Sequence, residues 1–260
     1  MFIINDINIG RFGNKLFYYN NLVQVSKYFG HDYYAPRFSS DNIFEFSDKN
    51  NQTSVTGQVD INHDYLIENK DNSFKDVLFH LQPCLGDLFF EFDLLKTNDI
   101  FTFKSKLTQN ITNDKMAVGV HFRGTDFNVW DSKAILPTKY YIDSIDFILN
   151  IDNDVIFKLF TDDTSLQSYN DVKTYLIQNN INHDFGNISS LEDDFINLSY
   201  CDYIISSPST FAITAGFCGK ENKKIIHSQN WLDYQCDKGD KFWLGFNNGG
   251  NNNYKKYKLI

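Results

Sequence analysis

Cysteine is scarce in this chain and badly placed for bridging. Its four cysteines, Cys84, Cys201, Cys218 and Cys236, lie far apart with no C-x-x-C pair. That spacing argues against a disulfide framework or a thiolate metal site and leaves reduced core thiols as the reading. Basic charge is also short: 24 Lys and Arg against 33 Asp and Glu give a net charge of −9. Such a balance provides no broad basic face, which excludes non-specific nucleic-acid binding but still allows a local basic pocket for a small anion. There is no apolar run of the roughly 18 residues needed to cross a bilayer, so no membrane span is expected. No basic segment followed by an apolar stretch opens the chain, so no secretory signal is expected either. The expected location is cytoplasmic, or docked on a membrane surface through another protein. The N-x-S/T triplets at Asn51, Asn110, Asn187 and Asn197 then read as accidents of an Asn-rich chain.

What is present is a large supply of apolar and aromatic side chains. Hydrophobic residues make up 42% of the 260, with 25 Phe and 15 Tyr. That is enough for one large domain or two small ones, with aromatics in core positions usually given to Leu and Val. Residues 2–6 read as a strand, and Ile9 to Asn14 as a loop with two glycines. From Lys15 to Phe29 the apolar residues Leu16, Tyr19, Leu22 and Val23, with small Ser26 next on that face, recur at helical spacing, and Gly30 is a suitable cap. Asp32 to Ala35, ended by Pro36, reads as a second strand, so the opening is β–loop–α–β. Residues 37–115 alternate polar stretches (47–60, 67–72) with aromatic runs (78–82, 88–95) and read as a small, irregular first domain.

The pattern is cleaner from residue 116. Strands are expected at 116–121, 155–161, 202–206 and 223–227, with helices near 137–149, 165–178, 191–200 and from Phe211. Strands alternating with helices at this spacing mean a parallel sheet. The predicted organisation is an N-terminal domain over 1–112, a second domain over 113–230 and an extension over 231–260. That extension contains an Asn/Gly-rich tail from Asn247 to Tyr254.

The polar residues gather at strand ends. Strand 116–121 runs into His121-Phe-Arg-Gly-Thr-Asp126, strand 155–161 into Asp162-Asp163, and strand 202–206 into Ser207-Pro-Ser-Thr210. Ligands in open α/β sheets bind beyond the carboxyl ends of the strands, so these clusters share one crevice if their strands are neighbours. Arg123 can fork two hydrogen bonds onto a phosphate, or form a salt bridge within the scaffold with Asp126 as partner. Ser209 and Thr210 precede a helix and serve either as N-caps or as part of an anion site. Asp162-Asp163 fits a helix cap and first-turn acid, or a divalent-cation site if more carboxylates converge. Gly10-Arg-Phe-Gly-Asn14 reads as a tight turn with Asn14 as N-cap, or as a phosphate loop. It lacks the lysine of G-x-x-x-x-G-K-[ST] and the spacing of G-x-G-x-x-G.

Taken together in order, these segments resemble one enzyme group. Gly10-Arg-Phe-Gly-Asn-Lys-Leu-Phe-Tyr-Tyr19 is similar to an opening G-x-x-G-N-Q-[ML]-F-x-Y, and His121 to Asp126 to the donor motif H-x-R-R-x-D. Phe160-Thr-Asp-Asp163 is similar to F-[ST]-D-D, and Asp194-Phe-Ile-Asn-Leu-Ser-Tyr-Cys201 to D-[LF]-x-x-[ML]-S-x-[CA]. Ser207-Pro-Ser-Thr-Phe211 is similar to S-N-S-[ST]-F, and Lys223 to Trp231 to the closing strand and tryptophan. The chain resembles the fucosyltransferases of the α1,2/α1,6/protein-O type, most closely the α1,2-fucosyltransferases of glycosyltransferase family 11.

The resemblance implies an α/β fold of two facing Rossmann-like domains, the glycosyltransferase B type. It also implies an inverting transfer of L-fucose from GDP-β-L-fucose to a glycan hydroxyl without a metal or other cofactor. The partners it implies are a nucleotide-sugar donor and an oligosaccharide or glycoconjugate acceptor. Arg123 would bind the β-phosphate, His121 and Asp194 the guanosine, and Ser209, Thr210 and Phe211 the pyrophosphate. Asp126 belongs to the same donor motif, and Asp162 would lie beside the nucleotide or support Arg123. Asn14, with Phe12 and Gly13 in its loop, would face the reacting sugar across the cleft. Gly124 stands where the motif has its second arginine, Lys15 replaces Gln, and Ile213-Thr214 replace a Trp pair. These departures leave open another donor such as GDP-mannose, or a nucleotide-sugar or glycan-binding protein without catalysis.

Overall fold

The computed structural model describes residues 2–3, 11–29, 32–34, 39–45, 58–61, 78–81, 101–109, 111, 114–125, 135–185, 190–220 and 223–226. The expectations for Gly10, Asp126, residues 88–95 and the extension 231–260 lie outside them. The described residues form two compact units, one up to Lys104 and one from Ser105 onward.

The first unit contains β1 (Phe2–Ile3), α1 (Phe12–Phe29), β2 (Tyr33–Tyr34), a 3-10 turn at Ser39–Asn42, β3 (Phe44–Glu45), β4 (Gln58–Ile61), β5 (Leu78–Leu81) and β6 (Thr102–Phe103). It is more regular than its sequence suggests. Four of its strands form a wholly parallel sheet in the order β2-β1-β5-β4, and β3 pairs with β6 antiparallel. The apolar stripe expected on α1 is the buried one: Phe12, Leu16, Tyr19, Leu22, Val23 and Ser26 are all inside. Aromatic rings do fill this core. Phe44 packs on Phe101 and Phe103 at centroid distances of 5.0 and 4.8 Å, and Tyr19 lies 6.0 Å from Phe101.

The start of α1 corrects the expectation for Asn14. The helix begins at Phe12, and Lys15 N–H donates to the Arg11 carbonyl at 3.1 Å. Arg11 therefore holds the cap position, and Asn14 lies inside the first turn. Periodicity placed the start at Lys15 because Gly13 and Asn14 are poor helix formers; burial of Phe12 and Gly13 outweighs that preference.

The second unit is built from α2 (Ser105–Thr108), β7 (Met116–Phe122), α3 (Thr138–Leu149), β8 (Val155–Thr161), α4 (Gln167–Gln178), β9 (His183–Asp184), α5 (Leu191–Ser199), β10 (Tyr203–Ile205), α6 (Thr210–Phe217) and β11 (Lys224–Ile226). All five strands are parallel, in the order β11-β10-β7-β8-β9. The chain moves outward from β7 through β8 to β9, then returns to the other side of β7 for β10 and β11. The direction of winding therefore reverses between β7 and β10.

The core explains why β7 reads as a continuous apolar run. Ala117, Val118, Val120 and Phe122 are completely buried because a parallel strand is covered on both faces. On α3 the buried positions Tyr141, Ser144, Ile145 and Ile148 follow the helical repeat, as do Ser168, Tyr169, Val172 and Leu176 on α4. The Phe122 ring packs 4.3 Å from Tyr141 and edge-on 5.5 Å from Tyr169. Each such side chain contributes roughly 1.5–3 kcal/mol by leaving water. Mid-strand Gly119 is a close-approach position: a Cβ there would run into Leu198 of α5 and the Cys201 sulfur.

Lys223, just before β11, ties two helix ends together. Its ammonium is buried and donates to the carbonyls of Ser199, Ala215 and Cys218, at the C-terminal ends of α5 and α6. Burial pushes its pKa down to about 8. The neighbouring thiols Cys201 and Cys218 are pushed up to about 12 by burial and stay neutral. Among the described residues no helix is long and apolar enough to cross a membrane.

Lys223→Met is expected to destabilise the fold by leaving those carbonyls without a donor. The folded pKa lies below the unfolded one, so the cost of burying this charge fades as pH rises toward the unfolded value. The variant's deficit relative to the parent should therefore be larger at pH 9.5 than at pH 7, by about 1–2 kcal/mol, in paired denaturant titrations.

Candidate active site

The reversal of winding puts two strand ends side by side. In an open parallel sheet, that is where helices leave to opposite faces and a crevice opens beyond the carboxyl ends. Here the ends are those of β7, carrying His121 and Arg123, and of β10, carrying Ser206 to Thr210. The end of β8, carrying Asp162, flanks β7 on its other side. The three polar clusters expected from sequence are thus on neighbouring strands.

His121 occupies the floor of this group and is only 4% exposed. Its Nδ1 lies 2.7 Å from the Ser207 hydroxyl, and Ser207 N–H donates to the His121 carbonyl at 3.1 Å. The imidazole stacks on Phe211 at 5.4 Å, and Phe195 meets Phe211 edge-on at 5.3 Å. Burial, then the nearby Arg123 charge, lowers the His121 pKa to about 3, against the opposing pull of Asp162. His121 is therefore a neutral, hydrogen-bonded ring at physiological pH and has no charge to offer a phosphate.

The cation is Arg123, with a side chain 12% exposed. Its Nη1 lies 2.8 Å from Asp162 Oδ2. Phe122 and Thr161 are the last register partners of β7 and β8, so this ion pair forms one step beyond the ladder. Asp162 also accepts the Gly124 N–H at 3.0 Å and the Thr125 hydroxyl at 2.8 Å. Burial alone would raise the Asp162 pKa. The Gly124 N–H, the Arg123 charge and the Thr125 hydroxyl together bring it below the ordinary carboxylate value. Asp163 does something different: its carboxylate accepts Ser165 N–H at 2.9 Å and shapes the turn into α4. Among the described residues no three His, Cys, Asp or Glu side chains group as a metal site requires.

The remaining predicted residues sit at two helix starts. Ser209 caps α6, its hydroxyl accepting Phe211 N–H at 3.3 Å, so both its cap and its place at a helix start are realised. Thr210 and Phe211 are the first two residues of that helix. Asp194 lies in the first turn of α5, beside Phe195 and behind the Ser190 cap, which accepts Asp193 N–H at 3.1 Å. Phe12, Gly13 and Asn14 belong to the first unit.

Sequence reasoning did not single out Phe195 or give Ser207 a specific partner. Phe195 was detectable as the residue after Asp194 in the segment carrying the resemblance.

No protein-family model and no curated protein matches the chain by sequence. Solved structures do match. The apo form of POFUT1 superposes with a TM-score of 0.59 over 83% of this chain and 94% of that one, at 11% identity. POFUT1 in complex with GDP-fucose gives 0.57 over 83% and 93%, and POFUT1 in complex with GDP gives 0.59 over the same shares, each at 11% identity. The chain shares its fold with POFUT1. That shared fold is α/β and Rossmann-like, with a parallel five-stranded sheet in the second unit.

Acid should expose the buried imidazole. The unfolded chain takes up a proton at His121 near pH 6.5 and the folded one only near 3, so stability falls as pH drops through that window. Between pH 7 and 5 this group alone should cost the parent about 2 kcal/mol, a loss that His121→Asn should lack when both are unfolded in urea.

Proposed function

We propose that this protein is a fucosyltransferase that moves L-fucose from GDP-β-L-fucose to a glycan hydroxyl with inversion, α1,2 linkage being the first to test. The observation that carries the reading is Arg123. It is a guanidinium held by Asp162 at the end of a central parallel strand, with the capped start of α6 at the end of the next strand. A fixed cation and a helix N-terminus side by side form a diphosphate site. The fold shared with POFUT1, whose structures hold GDP-fucose and GDP, supports the guanine nucleotide as donor.

In this reaction the bond between fucose C1 and the β-phosphate oxygen breaks while an acceptor oxygen bonds C1 from the opposite face. Negative charge collects on the departing GDP, and the acceptor hydroxyl loses its proton. Donors already aimed at the growing charge need no reorganisation during the step. Arg123 supplies such donors, and the first turn of α6 adds N–H groups at the positive end of the helix dipole. His121, neutral and stacked on Phe211, forms with Phe195 an aromatic wall for the guanosine side, with Asp194 beside it. On this reading Asn14 serves the acceptor side, and no metal takes part.

Gly124 motivated a different nucleotide sugar. The structure supplies a packing reason for glycine there: a Cβ would come within 2.7 Å of Leu166. Glycine at this position thus has a local packing reason apart from the choice of donor.

Arg123→Ala is expected to lower transfer by about 10²–10³-fold while the protein stays folded. The assay is GDP-fucose turnover over a glycan panel, with product linkage read by NMR; near-normal turnover in the folded variant would end the assignment. In a thermal-shift screen GDP should stabilise the protein. Stabilisation by UDP or dTDP without GDP would overturn the choice of donor.

A further inference from the structure

We infer that Leu166 is a positioning residue for Arg123, acting with Asp162 through Gly124. The inference deepens the proposed donor site and rests on that reading for its kinetic consequence only.

Three donors of one short segment converge on Asp162: the Arg123 guanidinium, the Gly124 N–H and the Thr125 hydroxyl. Hydrogen bonds alone would let this segment rock about the carboxylate. Packing removes that freedom. Cγ and Cδ1 of Leu166 would both lie 2.7 Å from a Cβ at Gly124, and Cδ2 would lie 2.9 Å away. Real Cβ contacts are never so short, so the leucine lies against the bare Cα face of the glycine. Leu166 is itself fixed. Its N–H donates to the Asp163 carbonyl at 3.3 Å, its carbonyl accepts from Asn170 N–H at 3.1 Å, and its side chain belongs to the sheet core.

The segment after β7 is thus held by a carboxylate and by an apolar side chain, both from the β8–α4 turn. Adjacent residues of the β8–α4 turn divide the work. Asp163 shapes the turn that delivers Leu166, and Asp162 holds the guanidinium. Displacing Gly124 moves the base of the Arg123 side chain, and a misplacement of about 1 Å in a positioned group can cost on the order of 10²-fold in rate. It also follows that Gly124→Arg would break this site rather than supply a second phosphate ligand.

The test uses the full chain with Gly124→Ala, Leu166→Ala, the double variant and Asp162→Asn. Gly124→Ala is expected to lower kcat about 10–100-fold. Leu166→Ala alone should lower kcat by roughly 3–10-fold, because the segment regains its freedom, and adding it to Gly124→Ala should recover part of that variant's loss, the coupling of two groups in contact. Asp162→Asn should lower kcat with a smaller change in KM and shift the Gly124 amide and Arg123 Nε resonances in ¹H–¹⁵N spectra. A role confined to stability would move melting temperatures and leave the kcat of the folded variants unchanged.

Full turnover in Gly124→Ala, or a folded double variant no faster than Gly124→Ala, overturns the inference. So does an Asp162→Asn spectrum with both resonances in place. Should the parent protein bind no GDP, the donor reading falls. The resonances then decide the positioning alone: displaced in Gly124→Ala and restored in the double variant supports it, and unmoved in Gly124→Ala overturns it.

Discussion

The chain leaves β7 toward β8 and leaves β10 toward β11, and these two departures lead to opposite edges of one parallel sheet. Strands that diverge in this way cannot cover each other's carboxyl ends. The crevice between them is a consequence of winding order, and every residue of the candidate site takes its place from it. His121 reaches Ser207 because β7 and β10 are adjacent, and Arg123 reaches Asp162 because β8 lies on the other flank. A different strand order with the same local sequence would scatter these side chains.

The electrostatics follow from burial. Arg123 and Asp162 together carry no net charge, and His121 is held neutral by the same burial that fixes its ring. The chain as a whole is acidic. On the proposed reading an anionic donor would be held by hydrogen-bond donors aimed in fixed directions, not by a broad positive field. That places a premium on the geometry of the segment after β7. Its carboxylate anchor stays ionised because three donors offset the cost of its partial burial.

Much of the second unit could be read from sequence. Strand 155–161 needed no adjustment and the other expected strands and helices differ from their limits by only a few residues, whereas the short elements β9 and α2 were not expected. Runs of apolar residues ending in polar clusters are a strong local signal when both faces of a strand are covered. The first unit was harder. Its strands are two to four residues long and separated by polar stretches, so the parallel sheet β2-β1-β5-β4 left almost no periodic trace. The start of α1 was misjudged for a related reason: a glycine and an asparagine look like a turn until Phe12 is seen to be part of the buried stripe.

By itself the sequence determined which polar residues stand past the strands: Arg123, the Asp162-Asp163 pair, and the hydroxyls before α6. These are identities at strand and helix ends, set by local pattern. It also determined that a parallel sheet would carry them, because helices and strands alternate. Only the tertiary structure decided which partner each took. Asp162 and Asp163 are equivalent by sequence, yet one holds the guanidinium and the other bends the turn. Gly124 looked like the loss of an arginine and is the space that Leu166 requires. Such assignments depend on distances between residues far apart in the chain, and those distances exist only once the strand order has been chosen.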